Sequence, residues 1–525
     1  MRLLRSGATG IVVSGLVLFA SSPVAVAQEP PAGTDRSLEW RPCPELSLVE
    51  VGECAEIAVP LDYATAEGTK IMLTVSRIPA QNPQDRRGVL FGNPGGPGGS
   101  ALSMFQDTPA QVWPDEFRQE WDLIGVQPRG LLYATPVQCG EPDLADVVTA
   151  VTNAGGDLRA RCEAGTPGYT RHLTTENTAR DFDEVRKALG EEQISIYGIS
   201  YGTFLGSTYA TLFPQQTDRL VLDSGVNPEW LWTQVPISQS EGYKRRARDL
   251  FPWIAANDAT YGLGDTPLKV YQRWSDRVVA EAGAVPTLSP PPAQIGDVPP
   301  GLQAIAQQYR DGVNMTADAR TRFEAFMAKI ADPGATQAAS TTYGMLYQVA
   351  PNRDAWPDMA LTIRDGPPPG AGDIPEELKP LVASGMNLQA LMLCNENQAA
   401  VEPQLYPAFL YEALWNMDVF DLMGYQYGSG AGCAGAPPVT RPVTLTGRSL
   451  ATAPLQLQSR GDPQTPYDGG LVLADQMRSR LVTVGGGDHG VSGKNNPPLN
   501  AAIVEYLRTG RTSVTEVPEA NIRIR

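Results

Sequence analysis

Between a short apolar run, Gln193-Ile-Ser-Ile-Tyr197, and a helix-like stretch, Tyr201 to Phe213, stands Gly198-Ile-Ser-Tyr-Gly202. No other feature limits the fold of this chain as tightly. A serine flanked by glycines two residues before and two after, with a strand leading in and a helix leading out, has the spacing of a sharp turn. That turn lifts the serine hydroxyl above the end of a sheet. The glycines allow the backbone to bend and neighbouring elements to come close. The string alone is a weak signal, with an ordinary strand-to-helix turn as its rival. Its setting gives it weight.

A serine hydroxyl is a poor nucleophile near neutral pH and needs a base. The whole chain of 525 residues contains two histidines, His172 and His489. In folds that carry serine on such a turn, the chain order is serine, acid, histidine. His489 satisfies it, in the loop Gly485-Gly-Gly-Asp-His-Gly490 after the last strand-like run. His172 lies upstream and reads as a residue at the start of the helix that follows. The acid is expected at a strand end between the two. Asp462 follows the run 455–458 in Ser459-Arg-Gly-Asp-Pro-Gln-Thr-Pro466. Asp223, after the run 219–222, is the runner-up, and Asp488 is poorly placed because adjacent side chains rarely face each other. Two N–H groups are expected to face a developing oxyanion, that of Tyr201 at the helix start and that of Gly96 in Gly92-Asn-Pro-Gly-Gly-Pro-Gly-Gly-Ser100. This loop lacks the Gly-Lys-Ser/Thr ending of a phosphate-binding loop.

Strand-like runs at 56–60, 71–76, 88–91, 121–126, 193–197 and 219–222 alternate with helix-like stretches at 174–189 and 201–213. Such alternation predicts a mostly parallel sheet with helices on both faces. Thr174 or Thr175 is expected to cap the first helix and Gly190 to end it. The rhythm breaks from about residue 228 to 440, where helical stretches and Pro-rich loops take over, and returns at 455–458 and 480–484. The expected organisation is an α/β core over 46–227 and 441–525, interrupted by a helical cap over 228–440. A formal net charge of −17 argues against a nucleic-acid partner. The run Lys244-Arg245-Arg246 is read as a solvated helix face.

Arg2 and Arg5, the apolar stretch 11–20 and Ala25-Val-Ala27 predict a signal peptide over 1–27, followed by a linker at 28–45. No later segment is long and apolar enough to span a membrane, so no stable membrane insertion is expected after cleavage. An exported chain oxidises its thiols. Six cysteines, Cys43, Cys54, Cys139, Cys162, Cys394 and Cys433, allow fifteen pairings. Proximity favours 43–54, 139–162 and 394–433. Their spacing has no zinc-site pattern, so no metal is expected.

From Trp40 to about Arg508 the chain resembles the secreted actinobacterial tripeptidyl-aminopeptidase and proline-iminopeptidase-like α/β-hydrolases that carry a TAP-like C-terminal segment. The residues that carry the resemblance are Asn93-Pro-Gly-Gly-Pro-Gly-Gly-Ser100, Trp121-Asp-Leu-Ile-Gly-Val-Gln-Pro-Arg-Gly130, the helix 179–190, Gly198-Ile-Ser-Tyr-Gly-Thr203, Gly461-Asp-Pro-Gln-Thr-Pro466 and Asp488-His-Gly490. The resemblance implies a Ser200, Asp462 and His489 triad, the Gly96 and Tyr201 oxyanion donors, a helical cap, the Cys394–Cys433 pairing and no cofactor. It implies a peptide with a free N-terminus as substrate, with acyl esters as the alternative. Glu396, two residues after Cys394 in the family's Cys-x-acid pattern, is expected to bind the substrate's amine; a solvated or salt-bridged Glu is the rival reading. The chain departs from the family at Gln127, where an acid usually precedes Pro-Arg-Gly, and at Leu131-Leu-Tyr133, where small residues usually follow. Substrate preference is expected to differ there.

Overall fold

Apolar residues run continuously along the central strands, so both faces of the sheet must be covered. Successive side chains point to opposite faces, and each face has its own core. Val89, Phe91, Ile124, Leu220 and Leu222 pack on one side. Leu90, Leu123, Val221, Leu455 and Val482 pack on the other. The computed structural model describes residues 38–108, 111–143 and 145–522. The expected signal peptide and the first part of the linker lie outside them.

The strands are β1 (Glu53–Pro60), β2 (Lys70–Ile78), β3 (Val89–Asn93), β4 (Asp122–Val126), β5 (Ile194–Ile199), β6 (Thr217–Asp223), β7 (Leu455–Ser459), β8 (Arg480–Val484) and β9 (Glu516–Val517). They form one sheet in the order β1-β2-β4-β3-β5-β6-β7-β8-β9. β1 and β2 are antiparallel, as are β2 and β4; all other neighbours are parallel. Asn93 pairs with Gly198, and Ile199 with Asp223. This register brings the C-terminal ends of β3, β5 and β6 to one edge, the usual site of ligand crevices in parallel sheets.

Helices α1 (Thr175–Ala188) and α2 (Tyr201–Leu212) cover the first face, with Phe182, Val185, Phe204 and Leu205 buried in its core. Thr174 caps α1, its hydroxyl accepting the Asn177 N–H at 3.3 Å, and Gly190 takes φ +74° just beyond the helix. Leu499, Ile503 and Tyr506 of the helix Pro497–Thr509 cover the second face. Behind β4, Arg129 is buried and forked onto Asp181 of α1, with Nε and Nη2 donating at 2.8 and 2.6 Å. The same guanidinium donates to the carbonyls of Pro60, Leu61 and His172. His172 thus helps join β1, β4 and α1 through its backbone.

Between β6 and β7 the chain builds a helical cap with its own core. Leu250, Phe251, Trp274, Tyr343, Trp356 and Met359 are its buried centre. The cap elements that matter below are α3 (Gln234–Ala256), α4 (Thr341–Val349), α5 (Trp356–Asp365) and α6 (Lys379–Asn395). The expectation of a solvated Lys244-Arg245-Arg246 face is corrected here. Only Arg245 is exposed. Lys244 pairs with Asp421 at 2.7 Å, and Arg246 is buried against the core.

All six cysteines are paired, as Cys43–Cys54, Cys139–Cys162 and Cys394–Cys433. Loops of 11, 23 and 39 residues are closed. Chain-entropy reasoning gives each about 3–4 kcal/mol through the unfolded state. The first bridge, with Arg41 paired to Cys54 and Trp40 beneath the Arg77 guanidinium, docks the end of the expected linker onto β1. Among the described residues no helix is long and apolar enough to cross a membrane.

Candidate active site

The turn after β5 is as tight as its glycines require. A Cβ on Gly198 would lie 2.1 Å from the Gly202 carbonyl oxygen, and one on Gly202 would lie 2.4 Å from that of Asn93. Neither position accepts any other residue without moving backbone. Between them Ser200 adopts φ 57° and ψ −125°. A non-glycine residue held in so sparse a region costs about 1–3 kcal/mol and persists only where its surroundings enforce it. Here the enforcement is visible: the Ser200 N–H donates to the Asp223 carbonyl at 2.9 Å, and its own carbonyl accepts the Thr203 hydroxyl at 2.6 Å.

Asp462 and His489 meet. The imidazole Nδ1 lies 3.1 and 3.0 Å from the two carboxylate oxygens. Asp462 is 1% exposed, and its remaining acceptor capacity is used by the Gln464 and Thr465 N–H groups at 2.8 and 3.0 Å and the Thr465 hydroxyl at 2.8 Å. These donors fix the carboxylate before the histidine reaches it. Burial by itself would lower the imidazole pKa. The Asp462 carboxylate, by charge and hydrogen bond, with Asp223 adding to it, outweighs that and holds His489 above the ordinary histidine value. The partner at Nδ1 leaves Nε2 as the ring's other functional nitrogen.

Asp223, the runner-up acid, does different work. Its carboxylate accepts the Val491 and Ser492 N–H groups at 3.1 and 2.9 Å and the Ser492 hydroxyl. The neighbouring Ser224 hydroxyl accepts the Gly490 N–H at 2.9 Å. The end of β6 therefore ties the Ser200 turn to the loop just after His489. Gly490 completes the approach, since a Cβ there would sit 3.4 Å from Ile199.

The glycine loop after β3 lies against the same turn. A Cβ on Gly95 would fall 2.8 Å from Ser200 Cβ and 3.0 Å from the Tyr201 nitrogen, so Gly95 borders the start of α2. The Gly95 N–H is taken by the Asn93 side chain at 3.0 Å, whereas the Gly96 N–H has no acceptor among the described residues. Gln127 is buried and holds this loop. Its Oε1 accepts from the Ser100 hydroxyl and the Ala101 N–H at 3.1 and 3.2 Å, and its Nε2 donates to the Leu132 carbonyl at 2.6 Å. An acid at this position would lack that last donor. Above it, α6 of the cap touches both loops: Leu132 N–H donates to Ser384 at 3.2 Å, and a Cβ on Gly98 would lie 2.3 Å from the Gly385 carbonyl oxygen.

Glu396 does not reach an opening. It is 1% exposed, at the N-terminus of α1, where its carboxylate accepts the Thr175 N–H at 2.6 Å and the Thr175 hydroxyl at 2.8 Å. That hydroxyl is also 3.0 Å from the Tyr201 phenol. Burial pushes the Glu396 pKa up to about 7 against these hydrogen bonds. In this structure the carboxylate expected to grip a substrate amine instead caps a helix beneath the serine turn. The rival reading as a solvated or salt-bridged Glu fails equally. Among the described residues no three His, Cys, Asp or Glu side chains group as a metal site.

Residues 90–287 match the family model described as alpha/beta hydrolase fold, and residues 421–518 match that of TAP-like protein. The chain is 32% identical to a tripeptidyl aminopeptidase of Streptomyces lividans, covering 94% of this chain and 88% of that one. It is 27% identical to the serine protease Hip1 of Mycobacterium tuberculosis, covering 96% and 94%. It is also 27% identical to carboxylesterase B of the same organism, covering 97% and 96%. With its parallel sheet, its serine turn and its TAP-like C-terminal part, the chain belongs to the α/β-hydrolase family of the Streptomyces tripeptidyl aminopeptidases.

Proposed function

We propose that this chain is an exported serine exopeptidase that releases short peptides or single residues from the N-terminus of peptides through an acyl-enzyme on Ser200. The observation that carries this reading is the strained Ser200 turn, tied through Asp223 to the loop of a histidine whose Nδ1 faces Asp462. The kinship to tripeptidyl aminopeptidases supports the peptide substrate. Three disulfides support an exported site of action.

In the reaction, Nδ1–H of His489 donates to Asp462, which leaves Nε2 as the base. Nε2 takes the Ser200 proton as Oγ bonds to the substrate carbonyl carbon. The N–H groups of Gly96 and Tyr201 stabilise the oxyanion. The C–N bond breaks as His489 returns the proton to the departing amine, leaving the N-terminal fragment as an ester on Ser200. Water, deprotonated by the same nitrogen, releases it. No step calls for a metal or organic cofactor. The test is mass spectrometry of products from peptides with free and acetylated amines, native chain against Ser200→Ala. The reading expects N-terminal fragments from free-amine peptides only, and none from the variant.

The kinship to carboxylesterase B favours a second reading, acyl-ester hydrolysis by the same three residues. p-Nitrophenyl esters run against peptidyl p-nitroanilides decide between them. Turnover of esters alone, indifferent to a blocked amine, selects the esterase.

A further inference from the structure

The loop that carries His489 is held from two sides. On its C-terminal side the anchor is Asp223, from the sheet. On its N-terminal side the anchors come from the cap. The His489 N–H donates to the Pro351 carbonyl at 2.9 Å. Asp488, one residue earlier, accepts at Oδ1 from both Arg246 Nη2 and the Arg353 N–H, each at 2.9 Å. Lys494 donates to Asn352 Oδ1 at 2.7 Å and lies 3.4 Å from Asp354. Four consecutive cap residues, 351 to 354, therefore bind the segment 488–494.

The Arg246–Asp488 pair is built for this approach. Arg246 rises from α3 and is 4% exposed, with its guanidinium 4.4 Å from the Trp356 ring centre. A Cβ on Gly487 would lie 2.9 Å from Arg246 Nε, so the glycine run before Asp488 makes room for the arginine. Arg246 also lies 3.5 Å from Asp249, and Arg353 pairs with Glu519. A buried charge pair bridging two layers holds its geometry strongly, because separating it strands both charges. His489 is the residue that follows one end of that bridge in the chain.

We propose that Asp488 is a positioning residue for His489, through which Arg246 and the 351–354 segment of the cap hold the imidazole in register with Ser200. The cap then sets the base as well as enclosing substrate, and loosening the cap at Arg246 slows the chemistry. The proposal rests on the reading of Ser200 and His489 as nucleophile and base.

The test is the rate at which a small fluorophosphonate, which needs the base but no cap contact, labels Ser200, measured beside kcat and KM for a peptide. His489→Ala labels far more slowly than the native chain if the base is correctly assigned. Displacing a reacting group by about 1 Å costs on the order of 100-fold, so Asp488→Ala and Arg246→Ala are expected to label about 10–100-fold more slowly. Their kcat falls by the same factor while KM stays within about 3-fold. Asp488→Asn, which keeps the Oδ1 acceptor for both donors, recovers most of the rate, and the double alanine variant is little slower than either single one. Native labelling rates in folded Asp488→Ala and Arg246→Ala overturn the proposal while leaving Ser200 and His489 in their roles. A native chain that resists the reagent overturns those roles and the proposal together. Should Asp488→Ala fail to fold, Arg246→Ala, whose change lies wholly in the cap, decides.

Discussion

The main-chain carbonyl of Asp223 accepts the N–H of Ser200 at 2.9 Å, while the carboxylate of the same residue holds the loop that follows His489. One residue at the end of β6 thus spaces the Ser200 turn from the His489 loop. Burial raises the Asp223 carboxyl above the usual range, although the Ser492 and Val491 donors oppose it. Asp223→Ala removes the acceptor of two buried backbone N–H groups and of the Ser224 and Ser492 hydroxyls, and should cost on the order of 3 kcal/mol in chemical denaturation. Turnover should fall with it. Asp223→Asn, which keeps an acceptor for one of the two backbone donors since they bond to different carboxylate oxygens, should retain more of both.

Replacing Ser200, the proposed nucleophile, separates chemistry from fold. Ser200→Ala should lower turnover by at least about 10³-fold with little change in thermal midpoint, since alanine meets the same strained dihedrals. Steady-state kinetics and calorimetry on one preparation check both halves.

In its proposed role as base His489 must be neutral, and its pKa is held above the ordinary histidine value. The acid limb of the kcat/KM profile is therefore expected above about pH 6.5, the unperturbed histidine value. Asp462→Asn removes the charge that raises it. The limb should move to lower pH while turnover falls by roughly 10⁴-fold, as when the orienting acid of such a triad is neutralised. A pH–rate series on both proteins measures the two effects together.

Glu396 gives a stability signature of opposite kind. Its folded pKa is raised to about 7 from 4.5, so the folded state binds the proton more tightly. The stabilisation by the protonated form is complete below the unfolded pKa and is lost as pH rises through the folded one. The loss amounts to about 3 kcal/mol between pH 4.5 and 7. Glu396→Gln should flatten this slope, as denaturant midpoints across that window will read.

The residues that the sequence made legible were those whose requirement is local. Gly198 and Gly202 are demanded by backbone contact within a few residues, and the strands around them show as apolar runs because both sheet faces are covered. His489 stood out because the chain has one other histidine and the order of the fold excluded it. What the sequence hid depends on distant packing. Asp223 and Asp462 both follow strands, and nothing local distinguishes an aspartate aimed at a ring from one aimed at backbone N–H groups. Arg246 sits in a basic run that looks solvated. Distant partners bury it, Trp356 and Asp488, the latter 242 residues away. Glu396 resembled a ligand for an amine until the start of α1 was found occupying its carboxylate. β9, two residues long, has no periodicity to read.

The most direct measurement is the mass of the protein quenched in acid during turnover of a free-amine peptide, followed by mapping of the adduct. The account predicts an ester on Ser200 whose acyl part is the substrate's N-terminal fragment, absent in Ser200→Ala. An adduct on another residue, or turnover undiminished in that variant, would contradict it.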